Sequence, residues 1–244
     1  MTGAPALSPE TAAARDRVAL AALALVEPGM VVGLGTGDSA RRFIERLGER
    51  AQAERLGVTC VGTSRATETQ ATACGLSVRS LIEAPEIDLA VDGADEVDPA
   101  LDLVKGGGGA LTREKLVAAS AARFVVLVDE AKLVRRLGER FALPIEVLTE
   151  AVPLVSRRLE ELGAVPRLRA TADGDYVTDL GNRIVDARFG AIPDAAALAA
   201  RLDAIPGLLE HGLFLGMADL VFVGMSSSQD VRRLVPGDSN ATED

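Results

Sequence analysis

Residues 91–115 read VDGADEVDPALDLVKGGGGALTREK, and the rest of the chain is arranged around them. The apolar run Ile87–Val91 leads into Asp92-Gly93-Ala94-Asp95. That pattern is a short buried strand carrying carboxylates at its C-terminal end, where open α/β sheets bind ligands. Leu101–Val104 reads as a short extended piece before Lys105. Four glycines come next, Gly106 to Gly109. Each loses more backbone freedom on folding than any other residue, so such a run points to main chain that must approach something closely and offer its N–H groups to an anion. The loop feeds at once into a helix expected over Ala110–Ala121. A helix N-terminus adds unpaired N–H groups and the positive end of its dipole, so the segment reads as an oxyanion or phosphate cradle rather than a linker.

Upstream, strands are expected at Met30–Leu34, Val58–Val61, Leu76–Leu81 and Ile87–Val91. Helices are expected from the Gly-rich turn 33–39 to about Leu47 and over Arg65–Ala73. Phe124–Val128 is an unbroken apolar run, as in a buried parallel strand, and Asp129-Glu130-Ala131-Lys132 caps the segment after it. This alternation predicts an α/β fold with a Rossmann-like open sheet. From about Gly138 the pattern changes. Strand Leu143–Leu148, helix Val152–Leu162, strand Val165–Ala170, a hairpin of Tyr176–Thr178 with Arg183–Asp186, and a helix capped by Asp194 describe a second, smaller α+β unit. Leu213–Leu215 and Leu220–Val223 return as strands to the first domain, and the last dozen residues read as frayed. The expected division is 1–137 with 212–244, and 138–211.

The 244 residues carry 26 basic and 36 acidic side chains, a net charge of −10, which argues against a nucleic-acid or anionic-membrane surface. Arg15 and Arg17 before an apolar stretch imitate a signal peptide, but Glu10 and Asp16 spoil the pattern, and Ser8-Pro9 reads as a helix cap. No segment is apolar enough to span a bilayer, and a cytoplasmic protein is expected. With one histidine, His211, and two cysteines, Cys60 and Cys74, a His/Cys zinc site is excluded. Both cysteines read as buried thiols, so proton transfer falls to carboxylates and lysines. Gly33-Leu34-Gly35-Thr36-Gly37 is a weak dinucleotide signal, because Asp38 occupies the next position such a fingerprint wants as glycine.

From about residue 10 to 225 the chain resembles the type A ribose-5-phosphate isomerases. The resemblance is carried by Gly33–Gly37, by Thr63-Ser64 with Thr67, by Asp92-Gly-Ala-Asp-Glu96, by Lys105-Gly-Gly-Gly-Gly-Ala-Leu-Thr-Arg-Glu-Lys115, and by Asp129–Lys132. It implies interconversion of D-ribose 5-phosphate and D-ribulose 5-phosphate through a cis-enediolate, with no metal or cofactor, in a homodimer or homotetramer. Under it, Glu114 moves the carbon-bound proton, while Lys105 and Gly106, Gly107 and Gly108 stabilise the enediolate. Asp92 and Asp95, with Gly93 and Ala94, meet the sugar's ring-opening oxygen and hydroxyls. Thr36, Gly37, Asp38, Ser39 and Lys132 complete the substrate site.

Blander readings exist for the same residues. Glu114 and Lys115 suit an exposed pair in a first helical turn, Asp98 a solvated turn, Thr63, Ser64 and Thr67 a helix cap, and His211 a strand end. The family usually has Ser-Thr where this chain has Asp38-Ser39. A carboxylate there repels a phosphate dianion unless it points away. Two alternatives stay open: a sugar-phosphate sensor without turnover, and a nicotinamide dehydrogenase.

Overall fold

A computed structural model of the chain describes residues 9–172 and 174–237; the Ser8 cap lies outside them. In chain order the elements are α1 (Pro9–Leu23), β1 (Val31–Leu34), α2 (Asp38–Glu54), β2 (Thr59–Gly62), α3 (Arg65–Ala73), β3 (Ser77–Arg79) and β4 (Leu89–Gly93). Two short strands, β5 (Glu96–Val97) and β6 (Leu103–Val104), precede α4 (Leu111–Ala119) and β7 (Phe124–Asp129). The remainder comprises β8 (Leu143–Val147), α5 (Val152–Glu161), β9 (Val165–Leu168), β10 (Ala170–Thr171), β11 (Gly174–Asp175), β12 (Arg183–Arg188), α6 (Ala195–Asp203), β13 (Leu208–His211), β14 (Leu213–Phe214), β15 (Leu220–Gly224) and β16 (Val231–Leu234).

The main sheet runs β16-β15-β7-β4-β1-β2-β3, parallel except for β16. The chain builds outward from β1 through β2 to β3, then returns to the other side of β1 with β4. That reversal opens a crevice at the C-terminal ends of β1 and β4. Period-two alternation assigns the side chains. Val125 and Leu127 of β7 join the core under α1 and α2, whereas Phe124, Val126 and Val128 join the core under α4. By the same parity Ala90 of β4 faces the α4 side. The next even position, Asp92, therefore points to α4, and Asp129, continuing the odd series of β7, points to α1.

A four-stranded antiparallel sheet, β13-β8-β12-β9, packs on α5 and α6 around its own core of Ile145, Val155, Leu159, Val185 and Leu202. A three-stranded patch, β14-β6-β5, is built from two strands inserted between β4 and β7 and one between β13 and β15, and carries Lys105 at the exit of β6.

Several expectations are corrected. The Tyr176–Thr178 hairpin with Arg183–Asp186 does not form, because β12 already pairs with β8 on one edge and β9 on the other. Segment 176–182 is drawn instead onto buried Glu146, which accepts from Thr178 Oγ1 (2.7 Å) and Asn182 Nδ2 (3.0 Å). α2 continues past Leu47 to Glu54, since Gly48 is not a helix stop: a Cβ there would meet Cys74, so this glycine lets α2 pack closely on the end of α3. The third strand is shorter than Leu76–Leu81. Of the last dozen residues, 233–237 are described and are not frayed, since Leu234 is buried and β16 pairs antiparallel with β15; 238–244 lie outside the described residues. Cys60 is buried, its thiol pushed up to about 12 by desolvation, but Cys74 is half-exposed.

Candidate active site

Asp92, Lys105 and Glu114 are 3%, 2% and 3% exposed, so three ionisable groups share one desolvated spot. Asp92 arrives by strand parity. Its approach to the first loop depends on Gly35, where any Cβ would collide with the Asp92 carboxylate. Asp92 Oδ1 accepts from Thr36 N–H (3.0 Å) and its neighbour Gly93 N–H (2.7 Å). Glu114 arrives by helix periodicity: Leu111, Glu114, Val117 and Ala118 form the buried stripe of α4. Lys105 reaches between the two carboxylates. Its Nζ lies 2.8 Å from Asp92 Oδ2, 2.5 Å from the Gly93 carbonyl and 3.3 Å from Glu114 Oε2.

Glu114 Oε2 is buried and accepts no hydrogen bond. Desolvation raises the Glu114 carboxyl to about 8, against the attraction of Lys105 and with help from Asp92 and Asp95. Desolvation likewise pushes Asp92 up, opposed by Lys105 and the two backbone N–H groups. Burial works against the charge on Lys105, yet Asp92, Glu114 and Asp95 together hold its ammonium above the usual lysine range. The site is thus one firm cation, one carboxylate bonded to it, and one carboxyl that retains a proton near neutrality.

The glycine loop roofs this group. Gly106 and Gly109 adopt φ of +105° and +82°, and a turn bond joins Gly109 N–H to the Gly106 carbonyl (3.0 Å). Gly107 N–H donates to Asp95 Oδ2 (2.7 Å), tying the loop to the β4 exit. A cleft of about 210 Å³ opens here, lined by the other expected site residues, with Asp92 reaching it through Lys105, whose Nζ it accepts from. Two further charged residues line it: Arg15 and Asp129. Arg15 donates to Asp129 Oδ2 through Nε (3.0 Å) and Nη2 (2.9 Å), and through Nη1 to Asp38 Oδ2 (3.0 Å). Asp38 is therefore turned toward a cation.

The family model described as ribose 5-phosphate isomerase A (phosphoriboisomerase A) matches residues 59–228. The chain belongs to the ribose-5-phosphate isomerase A family. It is 52% identical over 211 residues to the ribose-5-phosphate isomerase A of Roseiflexus sp. (strain RS-1), covering 86% of this chain and 91% of that one. It is 49% identical over 221 residues to that of Methanothermobacter thermautotrophicus, covering 90% and 97%. Among solved structures, ribose 5-phosphate isomerase A of Methanocaldococcus jannaschii superposes with a TM-score of 0.87 at 42% identity, covering 91% of this chain and 98% of that one. A D-ribose-5-phosphate isomerase in complex with phospho-erythronic acid superposes at 0.88 and 40% identity, covering 91% and 97%.

Within this ribose-5-phosphate isomerase A fold, the blander readings divide. Glu114 is buried and is not an exposed partner of Lys115, whose Nζ bonds instead to Glu210 Oε1 (2.6 Å) and the His211 carbonyl (2.7 Å). Ser64 caps α3, accepting from Thr67 N–H (3.1 Å), and Thr36 Oγ1 lies within 3.2 Å of the hydroxyls of Thr63, Ser64 and Thr67. The cap thus also anchors the first loop. Glu96 faces away from the cleft and accepts from Arg140 and Phe141 N–H (both 2.7 Å), and Asp98 caps its own turn. His211 ends β13, its Nδ1 accepting from Leu213 N–H (3.2 Å). Arg15 has no local signal of its role, because in sequence it stands only at the head of a signal-like apolar stretch, far from the motifs it joins. Among the described residues no helix is long and apolar enough to cross a membrane.

Proposed function

We propose that the chain interconverts D-ribose 5-phosphate and D-ribulose 5-phosphate through a cis-enediolate. The observation that carries this reading is Glu114: a desolvated carboxyl raised to about 8, 3.3 Å from a buried ammonium, under a glycine loop. Moving a proton between adjacent carbons needs a base in reach and a prepared site for the oxyanion that develops. Glu114 takes the carbon-bound proton and returns it to the neighbouring carbon. Lys105 and the N–H groups of the glycine loop hold the charge created between these transfers. Asp92 and Asp95 handle the ring-opening oxygen and hydroxyl protons. The phosphate lies at the start of α2, where the N–H groups of Gly37, Asp38 and Ser39 and the side chains of Arg15 and Lys132 supply donors and positive charge. Phospho-erythronic acid, bound by the solved relative, combines a phosphate with a carboxylate able to stand where the enediolate oxygens form.

An assay of ribose 5-phosphate isomerisation tests the reading. Tight binding with no turnover over hours favours the sensor instead. Lys105 fills the electrophilic role a metal would take, so EDTA leaves the rate unchanged; inactivation reversed by a divalent ion contradicts the scheme. The same reading includes residues 138–211 as a separate α+β unit and self-association as a dimer or tetramer, for which sedimentation equilibrium is the check.

Asp38 gives a quantitative expectation. Its side chain is 53% exposed and shares Arg15 with Asp129. Asp38→Ser frees that guanidinium toward the phosphate and removes a like charge worth about 1 kcal/mol at this exposure. KM for ribose 5-phosphate then falls about fivefold with kcat unchanged. A rise in KM contradicts the placement of the phosphate.

A further inference from the structure

The four glycines cannot orient their own peptides, since glycine is the residue least able to hold one backbone conformation. Beyond the Gly107–Asp95 bond and the turn bond, what holds them comes from the second sheet. Arg169, between β9 and β10, donates through Nη1 to the carbonyls of both Gly106 (3.0 Å) and Gly107 (3.1 Å). Its Nε bonds Asp186 Oδ2 on β12 (2.9 Å), and Nη2 bonds the other oxygen of that carboxylate. The side chain is only 14% exposed. Its guanidinium also lies over the ring of Tyr176, 5.8 Å from the centroid, and the Tyr176 hydroxyl reaches the Gly108 carbonyl (3.4 Å).

We infer that Arg169 is a positioning residue that orients and polarises the glycine loop for oxyanion binding. A trans peptide directs its carbonyl and the following N–H in opposite directions. Holding the Gly106 and Gly107 carbonyls on one guanidinium therefore turns the N–H groups of Gly107 and Gly108 away from Arg169. Gly107 N–H points to Asp95 at the β4 exit, on the cleft side of the loop. A carbonyl bonded to a cation also makes the N–H of its own peptide a stronger donor. Asp186 fixes the fork, leaving one nitrogen for two carbonyls, a geometry that a lysine point charge does not reproduce.

This inference rests on the isomerase reading, so the experiment separates the two. Arg169→Met and Arg169→Lys are assayed with ribose 5-phosphate, and their affinities for phospho-erythronic acid and for inorganic phosphate are measured by calorimetry. Removing an oxyanion donor outright costs about 10²–10³-fold in kcat, and a residue acting through the donors costs less. For Arg169→Met we expect kcat to fall about 30-fold, KM to stay within about threefold, and phospho-erythronic acid affinity to fall alongside kcat. Inorganic phosphate affinity stays unchanged, and Arg169→Lys falls between. Unchanged kcat, or equal losses of phospho-erythronic acid and inorganic phosphate affinity, overturns the inference. If Arg169→Met does not fold, Arg169→Lys decides on the same readouts. If the unaltered chain does not isomerise the sugar, the isomerase reading fails, and the contrast between the two ligands still judges Arg169.

Discussion

Glu114→Gln lowers kcat by about 10³-fold, within the range for loss of a general base, and leaves KM for ribose 5-phosphate within about threefold. Gln keeps the shape of the buried stripe Leu111-Glu114-Val117 and removes only the capacity to take a proton. The pH profile carries the second half of the expectation. A carboxyl acts as a base only after losing its proton, and buried Glu114 holds its proton up to about 8. Log kcat/KM therefore climbs with pH at unit slope below about 8 and levels above it, and the variant lacks that limb. Stability shifts with the opposite sign. The ordinary value of 4.5 rises to about 8 on folding, so between them the folded chain binds a proton that the unfolded chain releases. The native protein thus loses stability relative to Glu114→Gln as pH rises through that window, which thermal melts at about pH 5 and about pH 8.5 detect. A fully active variant, or a flat profile from about pH 6 to 9, removes Glu114 from the reaction.

Lys105→Met is expected to damage both chemistry and fold. The ammonium sits between Asp92 at 2.8 Å and Glu114 at 3.3 Å, all three buried. Removing one partner of a buried ion pair leaves an uncompensated charge and costs about 3–5 kcal/mol. Losing the cation at the oxyanion costs about 10²–10³-fold in kcat. The two losses come apart in the double variant Asp92→Asn/Lys105→Met. Neutralising Asp92 removes the stranded carboxylate, so denaturation in guanidinium recovers much of the lost stability while kcat stays low. A single variant as stable as the native chain, or a double variant with restored turnover, contradicts this account.

Much of this arrangement is legible from local pattern. Strand β4 carrying Asp92 near its end, the glycine loop and the helix after it are each readable because backbone propensity and apolar periodicity act over a few residues. The burial of Glu114 is equally legible in principle, through its spacing from Leu111, Val117 and Ala118, although its place in a first helical turn suggests an exposed acid. The failed hairpin at 176–178 shows the limit. Its residues pair as well as any others in isolation, but the edge of β12 they needed is taken by β9. The end of α2 shows the same limit: Gly48 lies within the helix and is packed against Cys74, 26 positions later in sequence.

The alternating α/β order, the acidic and Lys-Gly motifs, and the family they belong to are all written in adjacent residues, so the chain can be read for them without its fold. What stabilises those motifs is not written there. Arg15 meets Asp129 across 114 positions, and Arg169 meets Gly106 across 63. Only the sheet order and the docking of the second sheet bring those charges together. Whether a given arginine is a surface charge or the holder of a backbone loop depends on the desolvation and distance that packing creates.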